Sequence, residues 1–90
     1  MAERLYRQSL AIAERLAEAD PGSADAQRVL RVSQDKLGVL ILRVGKGSVA
    51  ERLYRQSLAI AERLAEADPG SADAQRVLRV SQDKLGVLIL

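Results

Sequence analysis

The chain contains no Cys and no His. Without Cys it can form neither a disulfide bond nor a thiolate metal site. Without His it lacks the side chain that proteins use most often as a general base and as a metal ligand. Trp, Phe, Thr and Asn are also absent, and two Tyr are the only aromatic residues. We therefore expect no metal, no cofactor and no enzymatic activity.

The charge is small and evenly spread. Fourteen Lys and Arg oppose twelve Asp and Glu, a net charge of +2, and the two signs alternate along the chain. Phosphate contacts need basic residues clustered on one surface, so we expect no nucleic-acid binding. The longest aliphatic run, Val39–Leu42, is far too short to span a membrane. No signal peptide is visible, and we expect a cytoplasmic protein that does not bind membranes.

Three patterns resemble catalytic or phosphate-binding motifs. Glu14 and Glu18 share a helix face and recur in a second copy, but carboxylate metal sites in helical bundles also use His, so we interpret them as surface charge. Ser9 and Ser33 have no base placed by the sequence. Gly45–Ser48 lacks the upstream Gly and the preceding strand of a P-loop, and we interpret it as a turn between helices.

The dominant feature is an internal duplication. Residues 2–42 reappear letter for letter as residues 50–90, 48 positions further along, with residues 43–49 as the linker. A fixed period of this size is typical of stacked repeats. We therefore treat residues 1–90 as one domain made of two repeats. Because duplicated repeats normally diverge, their identity indicates very recent amplification, deliberate design, or excision from a longer array of near-identical repeats.

Turn residues divide the chain into four amphipathic segments. The turns are Asp20–Ser23, its copy Asp68–Ser71, and Gly45–Ser48. Apolar residues between them recur three and four positions apart, which predicts helices and no strands. The short connections predict antiparallel neighbours. The fold class is therefore all-α, with four helices over Ala2–Ala19, Ala24–Val44, Val49–Ala67 and Ala72–Leu90.

Serines mark the predicted helix starts. Ser48 is followed three residues later by Glu51, the spacing of a capping box, so a helix is predicted to begin just after Ser48. Ser23 and Ser71 are predicted N-caps of the helices that follow them. Glu3 and Arg7 are spaced for an ion pair along one helix.

The order of several motifs resembles the tetratricopeptide repeat. Gln34-x2-Leu37-Gly38-x2-Ile41, then Gly45, then Ala50-x3-Tyr54, is similar to the pattern W-x2-L-G-x2-Y…A-x3-F…P of that family, with Pro69 as the final Pro. The run SLAIAERLAEADPGSADAQR is also similar to a bacterial branch with longer repeats. The resemblance implies antiparallel helix hairpins stacked into a solenoid. Small Gly38, Ala50 and Ser57 would then let two helix backbones approach closely.

The chain departs from the family in length and in aromatic content. Its repeat is 48 residues, whereas the family repeat is about 34, so each helix would be about two turns longer. Gln34 stands at the position of the Trp and Ile41 at that of the Tyr. The family's clamp for acidic peptide C-termini depends on Asn, which is absent here, so that activity is not carried over.

The resemblance also indicates where a partner would bind. In the family, ligands lie along the concave wall formed by the first helix of each hairpin, here the segment Ala24–Val44. Three aliphatic residues on one line of it have no obvious partner within the chain, and contiguous exposed apolar surface often marks a contact site. They could receive a peptide or protein, or pack against another copy of the chain. The candidate residues are Val32, Asp35, Val39, Leu42, Val80, Asp83, Val87, Leu88 and Leu90.

Repeat arrays usually need at least three units and polar caps. This chain has two units, and the apolar run Val87–Leu90, followed by a whole repeat in the first copy, is followed by nothing in the second. We therefore predict a self-assembling structural module that forms a homodimer or higher oligomer, with exchange of hairpins about the Gly-rich linker as one route. A peptide- or protein-binding scaffold is the alternative.

Overall fold

The computed structural model describes residues 2–88, and these form four α-helices joined by short turns. The helices are α1 (Ala2–Ala19), α2 (Ala24–Arg43), α3 (Gly47–Ala67) and α4 (Ala72–Leu88). No strand occurs within residues 2–88. The all-α prediction and the number of helices are confirmed, because the apolar spacing of each segment suits a helix and no segment alternates like a strand.

The two Pro-Gly turns end one helix and cap the next. The amide of Ser23 donates to the Asp20 carbonyl oxygen at 3.0 Å, and the Ser23 hydroxyl accepts a hydrogen bond from the Ala26 amide at 3.1 Å. In the second copy Ser71 makes the same two bonds, to Asp68 and Ala74, at the same lengths. Both predicted Ser caps are therefore confirmed, and each satisfies one free amide in the first turn of its helix.

The predicted capping box at Ser48 and Glu51 is wrong, because α3 begins at Gly47 and not after Ser48. Gly45 has a φ of +86°, and α2 ends with hydrogen bonds from the Gly45 amide to the Leu42 oxygen and from the Lys46 amide to the Ile41 oxygen. This is the Schellman arrangement. The Lys46 carbonyl already accepts the first bond of α3, so Ser48 lies inside the helix.

Each helix packs against the next one in the chain. Contacts join α1 to α2, α2 to α3, and α3 to α4, and the α2/α3 pair is the most extensive. The backbones of α1 and α4 do not approach each other in the described part of the chain. The molecule measures 37 × 32 × 15 Å, so the helices form a thin, open array instead of closing around a central core.

The core lies where the end of α2 meets the start of α3. Leu37, Ile41, Ala50 and Leu53 form a buried cluster, and Leu10, Val49 and Leu88 pack against its edge. A Cβ atom added to Gly38 would lie only 2.8 Å from Cε1 of Tyr54 and 3.6 Å from Cβ of Leu53. The two helices can therefore approach this closely only because position 38 has no side chain.

Exposed ion pairs join residues four positions apart on the same helix. Glu3 accepts a hydrogen bond from Arg7 at 3.0 Å, and the corresponding pair of α3, Glu51 and Arg55, is 3.1 Å apart, as the spacing predicted. The Arg7 guanidinium holds the pKa of the Glu3 carboxyl below its ordinary value. Exposed pairs of this kind contribute little to stability, so the fold depends on the apolar contacts between helices.

Candidate interaction surfaces

The first candidate surface is the exposed apolar stripe of α1, which we call the α1 open face: Leu5, Ser9, Ile12 and Leu16. Leu5 is 57% exposed and Ile12 is 51% exposed. Their counterparts in α3 have the same sequence context but opposite burial, since Leu53 is 7% exposed and Ile60 is 3% exposed. The difference arises because α3 lies between α2 and α4, whereas α1 contacts α2 alone.

The second candidate surface lies on α4, and we call it the α4 open face: Arg79, Gln82, Asp83 and Gly86. All four residues are exposed. Their counterparts in α2 are buried or half-buried against the following helices, and these are Arg31, Gln34, Asp35 and Gly38. The spacing of three, four and seven positions places each set on one side of its helix. The second copy therefore exposes a side that the first copy covers.

The counterparts of these two open faces pack against each other in the α2/α3 contact. The α3 residues that correspond to the α1 open face supply apolar side chains. The α2 residues that correspond to the α4 open face include Gly38, which leaves a gap beneath the Tyr54 ring. Tyr54 is 6% exposed, whereas its counterpart Tyr6 is 40% exposed. Among the described residues, nothing beyond the two chain neighbours and the backbone of the same helix lies within 4 Å of a Cβ added at Gly86. The two open faces thus carry the two halves of a contact that the chain already makes once.

A groove between α2 and α4, with α3 at its base, is the third candidate surface. At one end a cavity of about 380 Å³ is lined mainly by Arg28, Arg31, Leu64, Asp73 and Arg76. At the other end a cavity of about 350 Å³ is lined by Leu42, Tyr54, Asp83, Lys84, Val87 and Leu88. The first end is bordered by charged side chains and the second is mostly apolar.

Asp35 connects the two sides of this groove. Its carboxylate lies 3.2 Å from Nη1 of Arg31 on the same helix and 3.6 Å from Nζ of Lys84 on α4. Burial, together with the negative charge of Asp35, raises the pKa of the Tyr54 phenol above its ordinary value. Asp35 is therefore held by two cations and contributes to the electrostatic environment of the core tyrosine.

The residues predicted from sequence as contact sites fall into different environments. Val32, Val39, Val80 and Asp83 are exposed, and Val87, at 74%, is the most exposed large apolar residue among residues 2–88. Leu42 is also exposed, at the apolar end of the groove. Asp35 is instead half-buried in its ion pairs, and Leu88 packs on the chain's own core. Leu90 lies outside the described residues.

The residues with catalytic or metal-binding chemistry do not form a site. Glu14 and Glu18 are exposed, as are Glu62 and Glu66 in α3. Ser57 is buried, and its hydroxyl has no hydrogen-bond partner. Within residues 2–88 no group of three or more acidic side chains is arranged to hold a metal ion.

Comparison of the chain with protein-family models, with curated proteins and with solved structures finds no significant match. None of the helices in the described range is long and apolar enough to span a bilayer. The candidate surfaces therefore rest on the geometry of the chain itself.

Sequence reasoning missed the α1 open face as a contact surface. The spacing of Leu5, Ser9, Ile12 and Leu16 predicts only the apolar face of an amphipathic helix, without saying whether that face is covered. Comparing the two copies supplies the missing signal. Identical helices must pack differently when one has a neighbour on each side and the other has a neighbour on one side only.

Proposed function

We propose that the chain is a structural module without catalytic activity, which self-assembles by stacking helix hairpins of the tetratricopeptide type. One observation carries the proposal. The apolar stripe that α3 buries against α2 is exposed on α1, although the two stripes have the same sequence. An exposed apolar stripe whose counterpart is buried within the same chain favours burial against a further surface.

Antiparallel hairpins are supported by which ends of the helices meet. The start of α2 and the end of α3 line one groove, which includes Ala24, Gln27, Leu64 and Ala67. The end of α2 and the start of α3 meet at the core cluster, through Ile41 and Ala50. Neighbouring helices that meet start to end in this way run in opposite directions. Contacts restricted to chain neighbours are typical of repeat arrays.

The energy available limits the strength of association. Leu5, Ile12 and Leu16 are each more than half exposed, so covering them contributes on the order of 1 kcal/mol each. Association costs about 4–15 kcal/mol in lost freedom of motion. The α1 stripe alone therefore falls short, and the opposing surface must contribute as well. We expect association in the micromolar range or weaker.

Sedimentation velocity over a hundredfold concentration range tests this function. The weight-average mass of the wild-type chain should rise with concentration, and Ile12→Glu should abolish the rise because it places a charge in the stripe. Arg4→Gln is the matched control, since it lowers the net charge by the same amount at an exposed position outside the stripe. A wild-type chain that stays monomeric throughout would refute self-assembly.

Peptide binding in the groove between α2 and α4 is the second candidate function. The groove combines an apolar end at Leu42 and Val87 with a charged end at Arg28 and Arg76, which suits an extended peptide carrying both kinds of side chain. Peptides selected by display on the monomeric Ile12→Glu variant should bind it and should lose binding when Val87 is changed to Glu. Binding that survives this change would exclude the apolar end of the groove as the site.

A further inference from the structure

We propose that the α1 open face of one chain docks on the α4 open face of a second chain, so that the α2/α3 contact is reproduced between molecules. The inference rests on the proposed self-assembly and adds its geometry. Assembly is then head to tail, with each chain presenting one face of each kind.

The occupant follows from the identity of the two copies. The α3 stripe that covers α2 has the same residues as the α1 open face, and the α2 stripe that it covers has the same residues as the α4 open face. A second copy of this chain therefore presents to each open face the same residues that cover the corresponding face within the molecule. This identity favours a second copy as the partner.

Gly86 is the clearest mark of an unfilled contact. A Gly inside a helix is less favourable than Ala, and a close approach of another element is one structural reason for it. Gly38 has one, because the ring of Tyr54 lies where its Cβ would be. At Gly86 no described residue beyond its chain neighbours and its own helix backbone lies within 4 Å of the corresponding Cβ position. In the proposed contact, Tyr6 of the next chain occupies that space.

The same superposition predicts an ion pair between molecules. Within the chain, Asp35 of α2 lies 3.6 Å from Lys84 of α4. Asp83 is the counterpart of Asp35 in the second repeat, and Lys36 is the counterpart of Lys84 in the first. In the proposed assembly Asp83 of one chain therefore lies against Lys36 of the next. Both side chains are exposed in the single chain and have room to meet. Opposite charges at this point favour the head-to-tail register over a shifted one.

The symmetry of the assembly follows from the use of two different faces. A two-fold dimer brings the same patch of each subunit together, whereas a head-to-tail contact leaves one open face of each kind at the ends. Each added chain therefore creates a new site identical to the one it fills. The assembly grows beyond the dimer into a filament or closes as a ring.

Two single-face variants test this geometry. Gly86→Leu blocks the α4 open face, where a Cβ at position 86 meets no described residue beyond its chain neighbours and its own helix backbone, whereas Ile12→Glu blocks the α1 open face. Each variant alone should associate at least tenfold more weakly than wild type. An equimolar mixture should form a one-to-one dimer and nothing larger, because only one intact pair of faces remains. Circular dichroism and thermal unfolding should show that both variants keep the wild-type fold.

The other outcomes separate the two proposals. Wild-type chains that stay monomeric would overturn self-assembly itself. Gly86→Leu or Ile12→Glu chains that still dimerise alone would overturn only the head-to-tail contact, in favour of a two-fold dimer or exchanged hairpins. A folded mixture that stays monomeric would also overturn it.

A charge exchange tests the predicted ion pair between chains. Asp83→Lys alone should associate more weakly than wild type, and mixing it with Lys36→Asp should restore association. If the mixture associates no better than the single variants, the register that places Asp83 against Lys36 is overturned.

Discussion

Substituting Ala for the two corresponding glycines should have opposite effects on stability. Gly→Ala inside a helix gains about 1 kcal/mol from the reduced freedom of the unfolded chain and the better helix propensity. Gly86→Ala should show a gain of about 0.5–1 kcal/mol, because no described residue beyond the chain neighbours and the helix's own backbone lies within 4 Å of the new methyl group. The expected gain does not exceed the helix-interior value of about 1 kcal/mol and lies in the lower part of the 0.5–1 kcal/mol range, because Gly86 is close to the end of α4.

Gly38→Ala should lose more than it gains. The new methyl carbon would lie 2.8 Å from Cε1 and 3.2 Å from Cδ1 of the Tyr54 ring. Carbon atoms pack at about 3.5–4.0 Å, so the ring or the helix must move by the better part of an ångström. Overpacking of this kind costs about 1–3 kcal/mol. We expect Gly38→Ala to be destabilised by about 1 kcal/mol overall.

Thermal unfolding of both variants, at a dilution where the chain is monomeric, measures the difference. A separation of about 2 kcal/mol corresponds to melting temperatures about 8–16 °C apart for a domain of this size. Tyr54→Leu supplies the control, because removing the ring should make Gly38→Ala tolerable and give a coupling energy in a double-mutant cycle. If Gly38→Ala stabilised the chain as much as Gly86→Ala does, the close approach of α2 and α3 would be refuted.

Three further predictions concern the same contact and can be checked by urea unfolding. Leu53→Ala should cost about 2–4 kcal/mol, whereas Leu5→Ala at the exposed counterpart should cost less than about 1 kcal/mol; equal costs would mean that the two copies pack alike. Ser57→Ala should stabilise by about 1 kcal/mol, because it removes a buried hydroxyl without a hydrogen-bond partner, and Ser9→Ala should gain only a few tenths from helix propensity. Because burial and Asp35 raise the pKa of Tyr54 above 10.0, the folded state holds the phenol proton more tightly than the unfolded state does. The contribution of Tyr54 to stability should therefore be constant below about pH 10 and fall above it, and Tyr54→Phe should remove that part of the fall.

Most of the fold could be predicted because its information is local. The helix bounds follow from apolar spacing and from the turns at Asp20–Ser23 and Asp68–Ser71, and the Ser caps follow from the residues beside them. The linker was harder, because two local signals compete there. Gly45 favours a Schellman end to α2, Ser48 favours a later start to α3, and the first signal wins because the Lys46 carbonyl is already engaged in the new helix.

The contact surfaces could not be predicted from local sequence in the same way. Periodicity predicted an apolar face on α1, and the family resemblance selected Val32, Val39 and Leu42 as candidate contacts. Periodicity could not separate Leu5 from Leu53, because residues 2–42 and 50–90, in which they occupy corresponding positions, are identical. The distinction required the packing order of the helices.

The amino-acid sequence by itself determined that this chain forms four amphipathic helices in two identical units, because helix formation depends on residues a few positions apart. Only the tertiary structure decided which copy of each residue is covered. Burial depends on the neighbours a helix has in space, and α1 has one neighbour where α3 has two. Identical side chains therefore form core in one copy and open surface in the other.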